Sequence, residues 1–183
     1  MTSKITFVIG GCRSGKSRHA LLLADGISGV HKYFIATCMP QDDEMRRRVA
    51  RHQAERGDGW LAVETPVRLS GTIREIGPKA QVLLIDCLTL WVSNLMMEHA
   101  DPDDVAVQAD HLADSLRNAA CPVFLVSNEV GEGIVPDNML ARQFRDAVGL
   151  VNQKIAAAAD EVIWMVAGIP VKIKPAHGAP ETG

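Results

Sequence analysis

Short apolar, β-branched runs alternate with longer amphipathic stretches along most of this chain. Residues 5–9 (ITFVI), 32–38 (KYFIATC), 60–64 (WLAVE), 82–86 (VLLID), 123–126 (VFLV) and 161–166 (EVIWMV) have the length and composition of buried strands. Residues 17–24, 67–76, 105–119 and 138–159 carry helical spacing between them. Punctuation falls where those elements need it: Thr65 and Pro66 stop one strand, Gly77 and Pro78 break one helix, and Pro122 introduces another strand. Gly131, Gly133 and Pro136 mark a loop, residues 88–97 continue as an apolar segment, and an acidic break covers residues 101–104. Residues 167–174 add a hairpin or an edge strand, and residues 175–183, small and rich in Pro and Gly, are expected to be disordered. Strand and helix alternating from end to end predict an α/β fold, a mostly parallel sheet with helices on both faces, in a single domain over residues 1–174.

Composition narrows the partners without changing that architecture. A chain of 183 residues with 47% hydrophobic and 22% charged residues can bury the core of one domain, and a net charge of -3 argues against a nucleic-acid surface. Apolar runs long enough to span a bilayer are absent from the sequence, and the chain enters its first strand without a signal-like segment. A cytoplasmic protein is therefore expected. Cys12, Cys38, Cys87 and Cys121 are scattered singly, which argues against a zinc site and against a disulfide framework.

The first strand and helix enclose GGCRSGKS at residues 10–17, which satisfies G-x-x-x-x-G-K-[ST] at every specified position. A triphosphate needs many donors at short range, and backbone N–H groups on a glycine-permissive loop supply them. Gly10, Gly11, Cys12, Arg13, Ser14 and Gly15 form that loop, Lys16 reaches the outer phosphates, and Ser17 offers its hydroxyl to Mg²⁺. The helix that follows aims its positive end at the same anion. In P-loop enzymes a strand-end carboxylate stands near the Mg²⁺ shell, and Asp86 has that position in VLLID. Ala36, Thr37 and Cys38 end a strand where it opens onto the nucleotide edge, and Ser127, Asn128 and Glu129 do the same further on. The fold expectation sharpens accordingly to a P-loop NTPase-like sheet.

A phosphate loop leaves kinase, switch, motor and nucleotidyl transferase open. Residues 42–56 (DDEMRRRVARHQAER) form a candidate helix with acids at its start and almost no apolar face. On it His52 has Arg48 one turn before and Arg56 one turn after. Neighbouring cations disfavour the imidazolium and keep a nitrogen lone pair available, so His52 is a candidate nucleophile; a solvated basic face is the competing explanation.

GGCRSGKSRHA, IATC followed by DDEMRRRVARHQAER and a tryptophan, LLIDCLTLWVSNL, and VSNEVGEGIVPDNMLARQFRDAVGLVNQKIAAAADEVIWMVAGIPVKIK together resemble the bifunctional adenosylcobinamide kinase / adenosylcobinamide-phosphate guanylyltransferase family. Cys12 stands where that family often has alanine. The resemblance implies two reactions: a nucleoside triphosphate (ATP or GTP) phosphorylates adenosylcobinamide, then GTP donates GMP to adenosylcobinamide phosphate. It implies that His52 carries the GMP covalently, that Gln53, Ala54, Glu55, Arg56, Glu64, Asp86 and residues 36–38 bind nucleotide beside residues 10–17, and that the enzyme is a homotrimer. Two alternatives remain from the residues themselves: a P-loop kinase with the first activity alone, and a GTP-binding regulatory module. The second is weakened because no N-K-x-D segment occurs; Ser127-Asn128-Glu129-Val130 lacks the lysine.

Overall fold

The computed structural model describes residues 4–39, 43, 47, 59–98 and 102–175. Strands β1 (Ile5–Gly10), β2 (Lys32–Ala36), β3 (Trp60–Glu64), β4 (Val82–Asp86), β5 (Val123–Asn128), β6 (Glu161–Val166) and β7 (Ile169–Lys174) form one sheet in the order β3-β2-β4-β5-β1-β6-β7. Every pairing is parallel except β6 with β7, which is an antiparallel hairpin. The alternating runs of the sequence therefore became a mostly parallel sheet closed by one antiparallel edge strand.

Among the described residues the two faces of the sheet are covered unequally. Alternate residues of the central strands sort cleanly: Phe7, Leu83, Ile85, Val123 and Leu125 join the larger cluster, and Val8, Val82, Leu84, Phe124 and Val126 the smaller one. The larger cluster packs under four helices, α2 (Leu69–Ile76), α3 (Leu88–Glu98), α4 (Pro102–Arg117) and α5 (Met139–Ala158). On the other face α1 (Lys16–Asp25) contributes Ala20 and Ala24, whose small side chains let the helix lie close on the strands. Helices thus cover both faces as expected. Gly77–Lys79 forms a single 3-10 turn before β4.

Element ends show the local chemistry. Asn138 caps α5 by accepting from the Ala141 N–H at 3.3 Å, so the helix begins one residue after the predicted start. Pro102 opens α4 in its first turn, where its missing N–H costs no hydrogen bond. The apolar segment after Asp86 is helical, and Trp91 is fully buried with its Nε1 donating to the Val67 carbonyl at 2.7 Å. By contrast Trp164, Val166, Ile169, Val171 and Ile173 leave apolar surface exposed on the β6–β7 hairpin. Among the described residues no helix is long and apolar enough to cross a membrane. The expected disorder of the tail falls on residues 176–183, outside the described residues, beyond Pro175.

That hairpin is fastened by charge at the end of the sheet remote from the phosphate loop. Glu161, 5% exposed, pairs with Lys4 at 2.6 Å and with Lys172 from the neighbouring strand. Burial works against the Glu161 carboxylate, but hydrogen bonds and charge from Lys172 and Lys4 outweigh it and hold the carboxyl below its ordinary value. A folded-state pKa lowered in this way adds stability above the unfolded-state value and loses it as pH falls through the folded-state value. Glu161→Gln is therefore expected to lower unfolding stability by about 1–2 kcal/mol at neutral pH. Urea melts at a series of pH values check this: the gap between wild type and variant should close as pH falls below the ordinary carboxylate range, and a gap independent of pH would refute the ion-pair account.

Candidate active site

Parallel strands bring their carboxyl ends to one edge, and the register shows which residues meet there. Ala36 lies beside Glu64 on one side and Asp86 on the other. Asp86 lies beside Val126, and Gly10 stands between Asn128 and Met165. The sequence-predicted groups from β1, β2, β3 and β4 thus share one rim, but not one point. Glu64 is four strand steps from Gly10, each roughly 4.8 Å, so it cannot touch a phosphate held at the loop.

The loop after β1 owes its shape to a few backbone positions. Gly15 has φ 92° and Arg13 φ 55°, both in the left-handed region, and these reversals curl successive N–H groups inward. The Ser14 N–H closes the turn on the Gly11 carbonyl at 3.3 Å, and His19 N–H to Gly15 carbonyl at 2.9 Å starts α1. Gly10 has a neighbour on each side. A Cβ there would lie 2.4 Å from the Met165 carbonyl oxygen and 3.0 Å from Ser14 Oγ. The Glu129 N–H reaches the Gly10 carbonyl at 3.0 Å, and the Gly168 N–H, in the β6–β7 turn, reaches the Ser14 carbonyl at 3.1 Å. Gly11, Cys12 and Arg13 are exposed on the loop's crest, Gly15 and Ser17 are half-buried, and Ser14 and Lys16 are buried. Lys16 Nζ donates to the Gly11 carbonyl at 2.6 Å and lies 3.4 Å from Ser14 Oγ, folded under the crest it would share with an anion.

Asp86, half-buried, ends β4 on the same face of the sheet as α1, since Val82 and Leu84 of its strand pack in that cluster. Its negative charge is felt next door: burial first, then Asp86, pushes the Cys87 thiol up to about 12. Burial likewise pushes Cys121 up to about 11. Neither thiol is a nucleophile, and all four cysteines are free, as their spacing predicted. Among the described residues no three His, Cys, Asp or Glu side chains gather as a metal cage. Ser17, half-buried at the start of α1, and Asp86, at the end of β4, are the hydroxyl and carboxylate that the sequence pointed to at this edge.

Thr37 has a role at the rim that its strand-end position did not reveal. It is fully buried, donates through Oγ1 to the Cys87 carbonyl at 2.7 Å, and accepts the Cys87 N–H at 2.8 Å. Its own carbonyl takes a bond from Asn94 Nδ2 at 2.8 Å, which draws residue 37 off the ladder and ends β2 at Ala36 rather than Cys38. Thr37 therefore fixes the β2 and β4 ends relative to each other. Cys38 is half-buried next to it. A second network, Thr89 with Ser127 and Asn128, joined by Asn152, was signalled only by polar residues inside apolar stretches. His19 is held below its ordinary value by burial, with Glu161 opposing.

His52, Gln53, Ala54, Glu55 and Arg56 lie outside the described residues, as does most of the arginine-rich stretch; Asp43 and Arg47 within it are helical and exposed. A cavity bounded by Asp25, Lys32, Trp60 and Leu61 lies at the amino ends of β2 and β3, away from this rim. Its polar groups are occupied with one another, Trp60 Nε1 donating to Asp25 Oδ1 at 3.0 Å.

Gly10→Ala is expected to lower affinity for a nucleoside triphosphate about tenfold or more, because its Cβ meets backbone that cannot move without β6. Gly11→Ala, with nothing within 4 Å of the added Cβ, should fold as well as wild type. Fluorescent-nucleotide titration of both variants, with thermal melts alongside, checks the contrast; equal affinities in the two variants would count against this account of the loop.

Comparison with known proteins agrees with this geometry. A family model described as cobinamide kinase / cobinamide phosphate guanyltransferase matches residues 6–173. The bifunctional adenosylcobalamin biosynthesis protein CobU of Escherichia coli is 46% identical over 180 residues, covering 91% of this chain and 98% of its own. The bifunctional adenosylcobalamin biosynthesis protein CobP of Pseudomonas aeruginosa is 40% identical over 167 residues, covering 91% and 95%. Among solved structures, the ATPase domain of G40P superposes with a TM-score of 0.53 at 12% identity, covering 96% of this chain and 78% of that one. That last likeness concerns the fold alone, which is P-loop NTPase-like.

Proposed function

The chain belongs to the cobinamide kinase / cobinamide phosphate guanyltransferase family, and on that premise we propose that it is a bifunctional enzyme of adenosylcobalamin assembly. It phosphorylates adenosylcobinamide with a nucleoside triphosphate, then transfers GMP from GTP to adenosylcobinamide phosphate, releasing pyrophosphate and adenosylcobinamide-GDP. The observation that carries this reading is the convergence of residues 10–17 and Asp86 on one sheet edge in a chain of that family.

In the kinase step the loop N–H groups and Lys16 hold the triphosphate, and an alcohol oxygen of the acceptor attacks the γ-phosphorus in line with the departing diphosphate oxygen. Ser17 and Asp86 would hold Mg²⁺, which supplies neutralisation of the phosphate charge. The protein's part is placement: buried Lys16 and the curled loop are ordered by contacts to β5 and β6 before any substrate arrives.

In the transfer step a neutral His52 imidazole attacks the α-phosphorus of GTP, forming a P–N bond as pyrophosphate leaves. An oxygen of adenosylcobinamide phosphate then attacks the same phosphorus and the P–N bond breaks. The arginines around His52 favour its neutral form and attract the phosphates. Gln53, Ala54, Glu55, Arg56, the strand ends Ala36, Thr37 and Cys38, and Glu64 bind the nucleotide; the distance of Glu64 from the loop supports its acting away from the phosphates. Use of ATP and GTP agrees with a cytoplasmic site of action. Homotrimer formation would cover the exposed apolar residues of the β6–β7 hairpin, and sedimentation equilibrium tests it.

Incubation with α-labelled GTP and Mg²⁺ should leave acid-labile, alkali-stable GMP on the protein, and His52→Ala should abolish the label. A wild-type protein that phosphorylates cobinamide but takes up no label would be a kinase alone. Lys16→Ala should reduce both activities by about a hundredfold or more; loss of only one would mean that the two reactions use separate phosphate sites.

A further inference from the structure

The chain leaves β5 at the rim and returns through α5, and the segment between them starts directly beside the phosphate loop. The N–H of Glu129, the first residue after β5, bonds the Gly10 carbonyl at 3.0 Å. Because α5 leads to the amino end of β6, its own start lies on the rim side of the molecule. Asn152 Nδ2 bonds the carbonyl of Asn128, the last residue of β5, at 3.2 Å. At about 1.5 Å of rise per residue, the turns from residue 139 to 152 give α5 roughly 20 Å of length on the rim side of that bond.

This segment is held as one piece by α5. Arg145 donates to the carbonyls of Ile134 at 3.1 Å, Gly133 at 3.3 Å and Gly131, and Arg142 donates to those of Pro136 at 2.9 Å and Asp137 at 2.6 Å. Glu129 Oε1 accepts the Gly131 N–H at 2.6 Å, and Val130 and Phe144 pack against the core. The other apolar side chains of the segment face solvent instead: Ile134 is 96% exposed, Val135 65%, Met139 65% and Leu140 62%. Single apolar residues are ordinary on a surface. Four of them within residues 134–140, on backbone that two guanidinium groups fix, make an ordered apolar patch, the kind of surface that meets a ligand or a partner.

Charge and position identify the occupant. Residues 129–138 carry three acids, Glu129, Glu132 and Asp137, and no lysine, arginine or histidine, whereas the phosphate loop carries Arg13 and Lys16. The rim is therefore basic at the phosphate loop and both acidic and apolar beside it. In the two reactions assigned above, the acceptor brings an alcohol, and later its phosphate, to the nucleotide on an arm attached to a broad corrin macrocycle. The edge of that macrocycle is made of methyl and amide groups, and its cobalt-centred ring is a net cation. We propose that Ile134, Val135, Met139 and Leu140 receive the macrocycle of adenosylcobinamide while its arm reaches the phosphate loop. The proposal rests on the reading of the chain as a cobinamide kinase and guanylyltransferase, and it gives that reading an acceptor site. Since the segment is tied to Gly10 at one end and to α5 at the other, the acceptor is oriented by elements that also shape the triphosphate cradle. A patch already ordered loses little conformational freedom when the macrocycle docks.

Kinase assays with adenosylcobinamide on wild type, Ile134→Ser/Val135→Ser and Met139→Ser/Leu140→Ser test this, with thermal melts, sedimentation equilibrium and titration of a β,γ-imido ATP analogue on all three proteins. Both double variants are expected to raise KM for adenosylcobinamide about tenfold or more, with kcat and affinity for the analogue changed less than about threefold and the sedimenting mass unchanged. A KM for the corrinoid equal to that of wild type overturns the proposal. So does an equal loss of affinity for the analogue, which makes the segment a support of the phosphate loop, or a fall in mass, which makes the patch a contact between copies of the chain. Should a double variant not fold, the KM of Ile134→Ser alone decides. Wild-type protein that binds the analogue but phosphorylates no adenosylcobinamide overturns the reading beneath the proposal, a result distinct from a KM that the substitutions leave unmoved.

Discussion

The phosphate loop keeps its shape because it is clasped by the strands on either side of the one that leads into it. The Gly10 carbonyl is held by the first residue after β5, the Ser14 carbonyl by the turn between β6 and β7, and the Met165 carbonyl occupies the space where a side chain at position 10 would stand. A loop whose donors must all point inward cannot be stabilised by its own carbonyls alone. Its geometry is therefore a property of three adjacent strands, and the register between them is what every other group on the rim depends on.

The unequal coverage of the sheet serves that register. Among the described residues four helices press on one face and bury most of the apolar side chains, whereas α1 contributes alanines to the other. Buried Ala20 and Ala24 let the helix that starts at Lys16 lie close on the strands. Near the rim polar groups enter the core: Thr37 and Asn94 lock β2 to β4, and Thr89, Ser127 and Asn152 lock β5. Each donates or accepts at least one hydrogen bond there, and paired buried polar groups specify geometry.

Charge is used differently at the two ends of the strands. At the remote end Glu161 and two lysines fasten the antiparallel hairpin by direct pairing. At the rim Lys16, Asp86 and the loop amides stand at the strand ends where the proposed nucleotide would lie, so there the same kinds of group would act on a ligand. The hairpin links the two regions, because its turn carries Gly168, which holds the loop.

Most of the fold was legible in the chain. Parallel strands buried on both faces read as apolar runs, P-loop residues are dictated by phosphate geometry, and the carboxylate closing VLLID follows from where such strands end, so residues 10–17 and Asp86 could be located without coordinates. The family was legible for the same reason, since its motifs are contiguous and spread along the chain. What the sequence could not show is anything set by neighbours distant in the chain. Nothing near Thr37 says that Cys87 and Asn94 occupy its hydrogen bonds, nothing near Ser14 names Gly168, and Asn128 gains its place only because β5 falls between β4 and β1. Local pattern determined which elements form and what chemistry they carry, because those depend on adjacent residues; the order of strands determined which of them meet, because contact across a sheet is fixed by register and not by sequence distance.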